Sequence, residues 1–304
     1  MDTITHILLG YSFAQSEIIS KSREAQAVII LASIFPDIDL VWRIKGLDKY
    51  FIHHRRESHC FFGLLVQSFV LLGLARLLSQ INIWLLWLLI WIGLLGHIML
   101  DFFTSYGVPV FYPFTKRFFS FALLFIFDPW LDILLGVSLL GLIFKEHRLL
   151  LARLAFCSAF GYLVFLVLMK RLVLMRAKKI FNAQDKKLKI RLFPYFANPL
   201  RWLVLAKKED VIYRTSLSLF KGEEIVSEFR DQISKELRLK LRENELIQSL
   251  TNFSDFLFWK CASQSTKKIV RVYDLRYSQY NLGFCAQLEL DENDKVISQR
   301  FSYY

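Results

Sequence analysis

The chain has 304 residues, of which 55% are hydrophobic, and it contains 29 Phe and 7 Trp. This composition is too apolar for an ordinary soluble protein and indicates a membrane protein. Its four cysteines are scattered without paired spacing, which argues against a disulfide framework and against a zinc knuckle.

Charge divides the chain into two parts. Residues 1–169 hold 13 Lys+Arg and 11 Asp+Glu, whereas residues 170–304 hold 26 Lys+Arg and 16 Asp+Glu. A basic tail that follows membrane spans is typical of a cytoplasmic, lipid-facing segment. We therefore expect membrane lipid as a partner and no nucleic acid. The first residues, 1–6, have no basic stretch, so we expect no cleaved signal peptide.

Apolar stretches predict the helices of the first part. Helical spacing predicts a short helix over 3–15, and a second apolar stretch over 25–35 ends at Pro36 and is too short to span a bilayer alone. Four longer stretches are predicted to span the membrane: 60–78, 81–100, 119–144 and 149–169. The link 79–82 is short, so the first two spans should form an antiparallel hairpin that brings His59 beside His97 and Asp101.

The tail alternates between strand-like and helical patterns. Strands are predicted at 187–196, 201–207, 210–220, 268–277 and 283–290, and a helix is predicted over 222–259. The expected fold is an α-helical membrane domain over 1–178, with about four transmembrane helices plus short N-terminal helices. A small soluble α+β domain with an antiparallel sheet follows over 179–304. Positive-inside logic predicts that this domain is cytoplasmic.

A set of histidines and carboxylates suggests a metal site. His97 and Asp101 are four residues apart, so they share one helix face. Imidazole and carboxylate are the ligands of hydrolytic zinc and related ions. Each residue also has a simpler explanation, such as an ordinary helix histidine or a helix-ending turn, and Asp37 and Asp39 cannot be distinguished. The candidate ligands are His6, Asp37, Asp39, His59, His97, Asp101, Asp128 and Asp132.

Four motifs occur in an order that resembles a known family. They are residues 1–10 (MDTITHILLG), 35–39 (FPDID), 54–59 (HRRESH) and 96–107 (GHIMLDFFTSYG). They resemble the YdjM-like family of bacterial inner-membrane proteins, which are regarded as membrane-bound metal-dependent hydrolases. The resemblance covers about residues 1–130, and segments 198–202 and 273–277 of the tail are also of the family type. It implies a multi-pass protein of the bacterial inner membrane.

The spacing of the motifs is also distantly similar to that of soluble zinc-dependent phospholipases C and related nucleases. Carried over by position, that pattern implies metal ligation by His6, by Asp37 or Asp39, by His59, and by His97 with Asp101. Its last pair would have to be Asp128 with Asp132, where an Asp replaces the expected His. This similarity favours phosphoester chemistry.

These observations support several functions. The leading hypothesis is a metal-dependent hydrolase, with zinc or manganese, that acts at the cytoplasmic membrane interface on a phosphoester or a lipid-linked ester. His6 would be a ligand or the acid/base, Asp37 would be catalytic, and Arg55 would be catalytic and bind an anionic substrate. Further candidate substrate-binding residues are Arg56, Thr104 and Ser105. The alternative is a non-enzymatic membrane scaffold with a structural metal and a partner-binding tail. A transporter that uses Asp128 and Asp132 ranks last.

Overall fold

The fold is described from a computed structural model. It covers residues 1–181, 187–219, 226–264, 267–278 and 283–303. The chain divides into two compact units. Unit 1 comprises Met1–Leu40 and His54–Leu168, and unit 2 comprises Val41–His53 and Met169–Tyr304.

The described residues form nine α-helices and eight strands. The helices are α1 (Thr3–Ala14), α2 (Arg23–Ile34), α3 (Leu47–His53), α4 (Phe61–Leu78), α5 (Ile83–Phe103), α6 (Pro129–Gly136), α7 (Arg148–Ile180), α8 (Lys235–Leu241) and α9 (Glu245–Phe253). The strands are β1 (Lys189–Tyr195), β2 (Asn198–Lys208), β3 (Val211–Ser218), β4 (Ser227–Arg230), β5 (Leu257–Gln264), β6 (Lys267–Asp274), β7 (Phe284–Leu290) and β8 (Val296–Tyr303). Short 3-10 helices lie at Ile19–Lys21, Phe35–Lys45, Val137–Leu142, Lys145–His147 and Leu275–Tyr277.

Unit 1 is built around the packing of α1, α2 and α5. A Cβ atom at Gly93 of α5 would lie 2.6 Å from the Cβ of Ala32 and 2.9 Å from the carbonyl oxygen of Ile29, so only glycine allows α2 this close. The core beside this contact holds the fully buried Leu86 and Ile90. The close approach brings the C-terminal end of α2 against the C-terminal half of α5.

Three helices in the described part of the chain are long and apolar enough to cross a membrane. They are α4 (Phe61–Leu78), α5 (Ile83–Phe103) and the helical segment Lys145–Ile180, which contains α7. The first two match the spans predicted over 60–78 and 81–100. The predicted span 149–169 lies within α7. The short helices predicted over 3–15 and 25–35 correspond to α1 and α2.

The span predicted over 119–144 is not one helix. Residues before 128 form irregular backbone with isolated bridges, including one from Val108 to Phe119. Helix α6 begins only at Pro129, where the side chain of Asp128 caps it by accepting from the backbone N–H of Leu131 at 3.1 Å. The physical reason is that proline starts a helix well but disfavours the helical conformation of the residue before it. The apolar part that remains, Pro129–Leu142, has only 14 residues.

Unit 2 contains two four-stranded antiparallel sheets, where the sequence pattern predicted one. Their strand orders are β1-β2-β3-β4 and β5-β6-β7-β8. The helix predicted over 222–259 is wrong for most of its length, and its residues 222–225 lie outside the described part. Strand β4 lies in this range, α8 and α9 are capped separately by Ser234 and Asn244, and β5 starts at Leu257. Each capping side chain starts a new helix, which divides the apolar periodicity.

Helix α3 belongs to unit 2, although 115 residues of sequence (54–168) separate it from the rest of that unit. Phe51 stacks on Phe301 with ring centroids 4.1 Å apart and meets Phe253 edge-on at 5.5 Å. The carboxylate of Asp48 accepts a hydrogen bond of 2.6 Å from the backbone N–H of Phe301. Residues 41–53 and the tail therefore fold as one body.

This packing makes a testable prediction for Phe51. Because the ring is buried, Phe51→Ala should destabilise unit 2 by about 3–5 kcal/mol. Unfolding of the purified full-length protein is followed by fluorescence, for which the fully buried Trp202 and Trp259 are reporters. Phe196→Ala removes a ring that is 40% exposed and should have a much smaller effect. Equal effects of the two substitutions would contradict the packing.

Candidate metal centre

Four buried side chains of unit 1 converge on one point. Asp37, His59, His97 and Asp101 each offer one ligand atom, and these atoms all lie within 4.8 Å of one another. Asp37 lies in the 3-10 helix that follows α2, and His59 precedes α4 by two residues. His97 and Asp101 lie on the last turns of α5. The short link between α4 and α5 makes the two helices a hairpin, which brings His59 beside His97.

The Nε2 nitrogen of His97 faces the other three groups of the cluster. Its Nδ1 lies 2.8 Å from the carbonyl oxygen of Ser33. A carbonyl can only accept, so the neutral ring donates from Nδ1 and Nε2 carries a lone pair. That Nε2 faces Asp101 Oδ2 at 3.4 Å, Asp37 Oδ1 at 3.6 Å and His59 Nε2 at 3.1 Å. His97 is thus oriented as a ligand, with an outer partner of the usual kind.

The spacing of the four groups fits a divalent cation. His59 Nε2 lies 3.2 Å from Asp101 Oδ2 and 3.7 Å from Asp37 Oδ1. The five separations between ligand atoms that involve a histidine nitrogen thus run from 3.1 to 3.7 Å. A tetrahedral shell with metal–ligand bonds of about 2.1 Å has edges of about 3.4 Å. Two imidazoles and two carboxylates without thiolate suit zinc, and they also accept manganese.

The carboxylate of Asp101 faces two different sets of partners. Its Oδ2 points to the histidine pair and, among the described residues, has no hydrogen-bond donor although it is buried. Its Oδ1 lies 2.8 Å from Arg55 Nη2 and 3.4 Å from His6 Nε2, and it also pairs with the amino group of Met1. A buried acceptor without a donor costs free energy, so Oδ2 is free for a cation.

His6 lies beside this shell rather than in it. Its ring stacks on His97 with centroids 3.7 Å apart and an interplanar angle of 14°. A coordinated ion lies close to the plane of an imidazole, so one ion cannot bind both parallel rings in this arrangement. Neither ring nitrogen of the fully buried His6 has a hydrogen-bond partner in the described part of the chain.

Burial governs the charge states around the cluster. Burial, and next the neighbouring His97, hold the pKa values of His6 and His59 well below the ordinary value, so both rings are neutral. Burial raises the pKa of Asp37, although Arg55 opposes the shift. Asp37 retains 8% of its exposure, the most of the four ligand candidates. Asp37 is therefore the member of the cluster that is most accessible from outside the protein.

Arg55 brings a buried positive charge to the same place. It is 2% exposed, its guanidinium lies over the ring of Tyr106 at 4.7 Å, and its Nη1 lies 3.5 Å from Thr104 Oγ1. Its backbone has φ +58°, a left-handed conformation that a non-glycine residue adopts at a cost. Its Nε has no acceptor among the described residues. This arrangement suits the binding of an anionic group beside Asp101.

Asp39 lies behind His59 and outside the four-residue group. Its Oδ2 accepts from the backbone N–H of Arg55 at 2.6 Å and from the hydroxyl of Ser58 at 2.7 Å, and its Oδ1 meets His54 Nδ1 at 3.0 Å. Burial alone would raise the pKa of Asp39, but hydrogen bonds from His54, Ser58 and Arg55 lower it. Of the two carboxylates that the sequence could not distinguish, Asp37 is the one beside the histidine pair.

The remaining predicted site residues have other surroundings. Asp128 and Asp132 are not members of the four-residue group. Asp128 caps α6 and accepts from the hydroxyl of Tyr162 at 3.2 Å, whereas Asp132 accepts from Thr5 at 2.6 Å. The geometry therefore gives no support to their predicted role as ligands, because both carboxylates lie outside the four-residue group.

The predicted substrate-binding residues fall into two groups. Thr104 and Ser105 are buried directly after α5, and Thr104 also contacts Arg55. Arg56 points elsewhere, with its guanidinium over the ring of Tyr112 at 5.2 Å. Thr104 is thus linked to the candidate site through Arg55.

The sequence analysis missed three groups that contact the cluster. They are the carbonyl of Ser33, the hydroxyl of Ser58 and the amino group of Met1. A backbone carbonyl and an α-amino group carry no residue-type signal. Ser58 directly precedes a candidate ligand, which was the one available indication.

Comparisons with known proteins match both parts of the chain. The model of the YdjM inner membrane protein family matches residues 1–173. The model of the YfhP C-terminal alpha/beta plait domain matches residues 236–304. The uncharacterized protein YfhP of Bacillus subtilis (strain 168) is 30% identical over 142 residues, which are 44% of this chain. The aligned part spans 43% of that relative's length.

Two further findings limit these similarities. No solved structure matches the chain. The distant similarity to zinc-dependent phospholipases C is not shown by these comparisons. The family match covers more than half of the chain, and the apolar helices support the inner-membrane location that its description gives. The chain belongs to the YdjM inner membrane protein family.

Proposed function

We propose that this protein is a membrane-bound metal-dependent hydrolase that acts at the cytoplasmic membrane interface on a phosphoester or a lipid-linked ester. The observation that carries the proposal is the pair of buried groups beside the four candidate ligands. His6 and Arg55 have nitrogen atoms that make no hydrogen bond in the described part of the chain. Four ligands would be enough for a purely structural ion, whereas these two residues suit a further, anionic ligand.

The candidate ligands are Asp37, His59, His97 and Asp101, with zinc as the first choice of ion and manganese as the second. A divalent ion held there would polarise an ester or phosphoryl oxygen and lower the pKa of a bound water. His6 is neutral and can accept or donate a proton at Nε2, which lies 3.4 Å from Asp101 Oδ1. Its other predicted role is that of a metal ligand, and because its ring stacks on His97 the ion would have to be a second one.

Arg55 is proposed to bind the anionic group of the substrate. Its guanidinium is fixed by Asp101 at 2.8 Å and by Tyr106 beneath it, so it is preorganised. Arginine binds phosphate oxygens with fixed geometry, which is why a phosphoester is favoured over a carboxylic ester. Thr104 and Ser105 are proposed to assist, because Thr104 contacts the same guanidinium.

The alternative function is a non-enzymatic scaffold in which the ion ties helices together. Its support is that four side chains can close a tetrahedral shell, as in structural zinc sites. The two functions differ in the coordination of the ion, because a catalytic ion needs a coordination position that water or substrate can reach. Asp37 is the least buried candidate ligand, so such a position would lie on its side of the cluster. Turnover by the purified protein distinguishes them.

A topology with the tail in the cytoplasm is also proposed. Its domains are a membrane domain over 1–178, in which residues 41–53 form a cytoplasmic segment that packs with the tail, and a soluble domain over 179–304. Residues 41–53 and 169–304 belong to one compact unit, so they share one side of the membrane. The chain between them must then cross an even number of times. Helices α4, α5 and α7 supply three crossings, and the apolar segment Pro129–Leu142 is the candidate for the fourth. It is about 24 Å long, slightly shorter than a bilayer core of about 30 Å.

The first prediction concerns the ion. Purified protein should bind zinc and release phosphate or a lipid product from a panel of phosphoesters. The double variant His97→Ala, Asp101→Ala should lose both properties, because it removes two of the four ligands. The exposed His147 provides the control, and His147→Ala should keep both. Metal content that is equal in the wild type and the double variant would exclude this site.

The second prediction concerns His6. If it transfers protons, His6→Ala should keep the bound ion and lower turnover by about 100- to 10,000-fold. Ion content is measured by elemental analysis beside the rate. A fall in the number of bound ions would instead identify His6 as a ligand of a second ion. Unchanged turnover would remove it from the mechanism.

The third prediction concerns topology. An epitope inserted after Glu146, in the short turn before α7, should be accessible from outside intact spheroplasts. An epitope at residue 304 should become accessible only after permeabilisation. Accessibility of both from the outside would contradict a membrane crossing by α7.

A further inference from the structure

The hydroxyl of Ser58, in the loop before α4, lies between Asp39 and His59. Ser58 Oγ lies 2.7 Å from Asp39 Oδ2 and 2.8 Å from His59 Nδ1. A hydroxyl has one proton, so it can donate to only one of these two atoms. The direction of each hydrogen bond therefore follows from the chemistry of the carboxylate.

Asp39 Oδ2 acts as an acceptor. It already receives the backbone N–H of Arg55 at 2.6 Å, a group that can only donate. The hydroxyl of Ser58 must then donate to the same oxygen, since two acceptors at 2.7 Å without a proton would repel. The lone pair of Ser58 Oγ is left to accept from His59 Nδ1–H.

The position of this proton decides which form of His59 Nε2 faces the other candidate ligands. With the proton of His59 on Nδ1, its Nε2 carries a lone pair, and this atom faces Asp37, His97 and Asp101. His97 is in the same state because Ser33 accepts from its Nδ1. We propose that Ser58 and Asp39 are positioning residues that set the tautomer and ring orientation of His59 for metal binding, an inference that rests on the proposed metal centre.

The loop that carries Ser58 is itself fixed. The side-chain amide of Gln67 donates to the carbonyl of Ser58 at 2.6 Å. Gln67 lies in the second turn of α4. The thiol of Cys60 caps α4 by accepting from the N–H of Gly63, and it contacts the carbonyl of Glu57. A side chain at position 63 would overlap that carbonyl. The hydroxyl of Ser58 is therefore held at one place relative to His59.

Two substitutions of the same shape isolate the hydroxyl. Ser58→Thr keeps it, whereas Ser58→Val replaces it with a methyl group. Full-length protein in detergent is titrated with Zn²⁺ against a chromophoric chelator, and with Co²⁺ followed by its visible absorption. Ser58→Val should bind Zn²⁺ about 10- to 100-fold more weakly, as loss of an outer-shell partner does, and should alter the Co²⁺ spectrum. Ser58→Thr should bind as the wild type does.

Two further variants complete the test. Asp39→Asn weakens the acceptor without changing its shape and should also lower the Zn²⁺ affinity. Ser68→Ala removes a buried hydroxyl that donates to the carbonyl of Leu65 within α4, and it should have no effect on binding. A loss of affinity in Asp39→Asn supports the inference even if Ser58→Val does not fold.

The outcomes separate this inference from the proposed hydrolase. Equal Zn²⁺ affinity of Ser58→Val and Ser58→Thr overturns the role of the hydroxyl and leaves the hydrolase untouched. Wild-type affinity in Asp39→Asn overturns the role of that carboxylate. A wild type that binds Zn²⁺ without turnover overturns the hydrolase, whereas the comparison of Thr with Val still decides the role of Ser58. A wild type that binds neither ion overturns both.

Discussion

The carboxylate of Asp101 is the group on which the rest of unit 1 depends. It is fully buried near the end of an apolar helix, where an unpaired charge costs several kcal/mol. Contacts on both oxygens offset that cost. Oδ2 faces His59 and His97, and Oδ1 faces Arg55 and His6. The N-terminal helix, the loop before α4 and the end of α5 therefore meet at one side chain. The contacts of Asp101 that hold these elements together are therefore also the contacts that form the candidate site.

Close helix packing supplies the outer partners. Because Gly93 lets α2 approach α5, the carbonyl at the end of α2 comes within hydrogen-bond distance of the ring of His97. That carbonyl belongs to Ser33, near the end of α2. Asp37 follows four residues later, in the 3-10 helix Phe35–Lys45. One helix end thus orients a ligand and delivers another. A larger residue at position 93 would separate the two helices and disturb both functions together.

The sequence could predict what depends on local spacing. The pair His97 and Asp101 follows from helical periodicity, and the meeting with His59 follows from the four-residue link between two spans. It could not separate Asp37 from Asp39, because that choice depends on the 3-10 conformation of the segment, in which each residue turns by about 120°. Residues two apart then face different sides, one toward the histidine pair and one toward Ser58. The segments 119–144 and 222–259 were mispredicted because a proline and two capping residues interrupt their apolar patterns.

The groups outside the ligand set are the basis of the proposed function. A structural ion is complete with its ligands and their outer partners, and every additional buried polar group adds about 1–3 kcal/mol of cost when it is unsatisfied. The ring nitrogens of His6 and the Nε of Arg55 are such groups in the described part of the chain. Neither is needed to hold a four-coordinate ion, and the stacked ring of His6 cannot share that ion with His97. In the proposed hydrolase, an anionic substrate group beside Arg55 would provide an acceptor for its Nε, whereas a scaffold needs no such group.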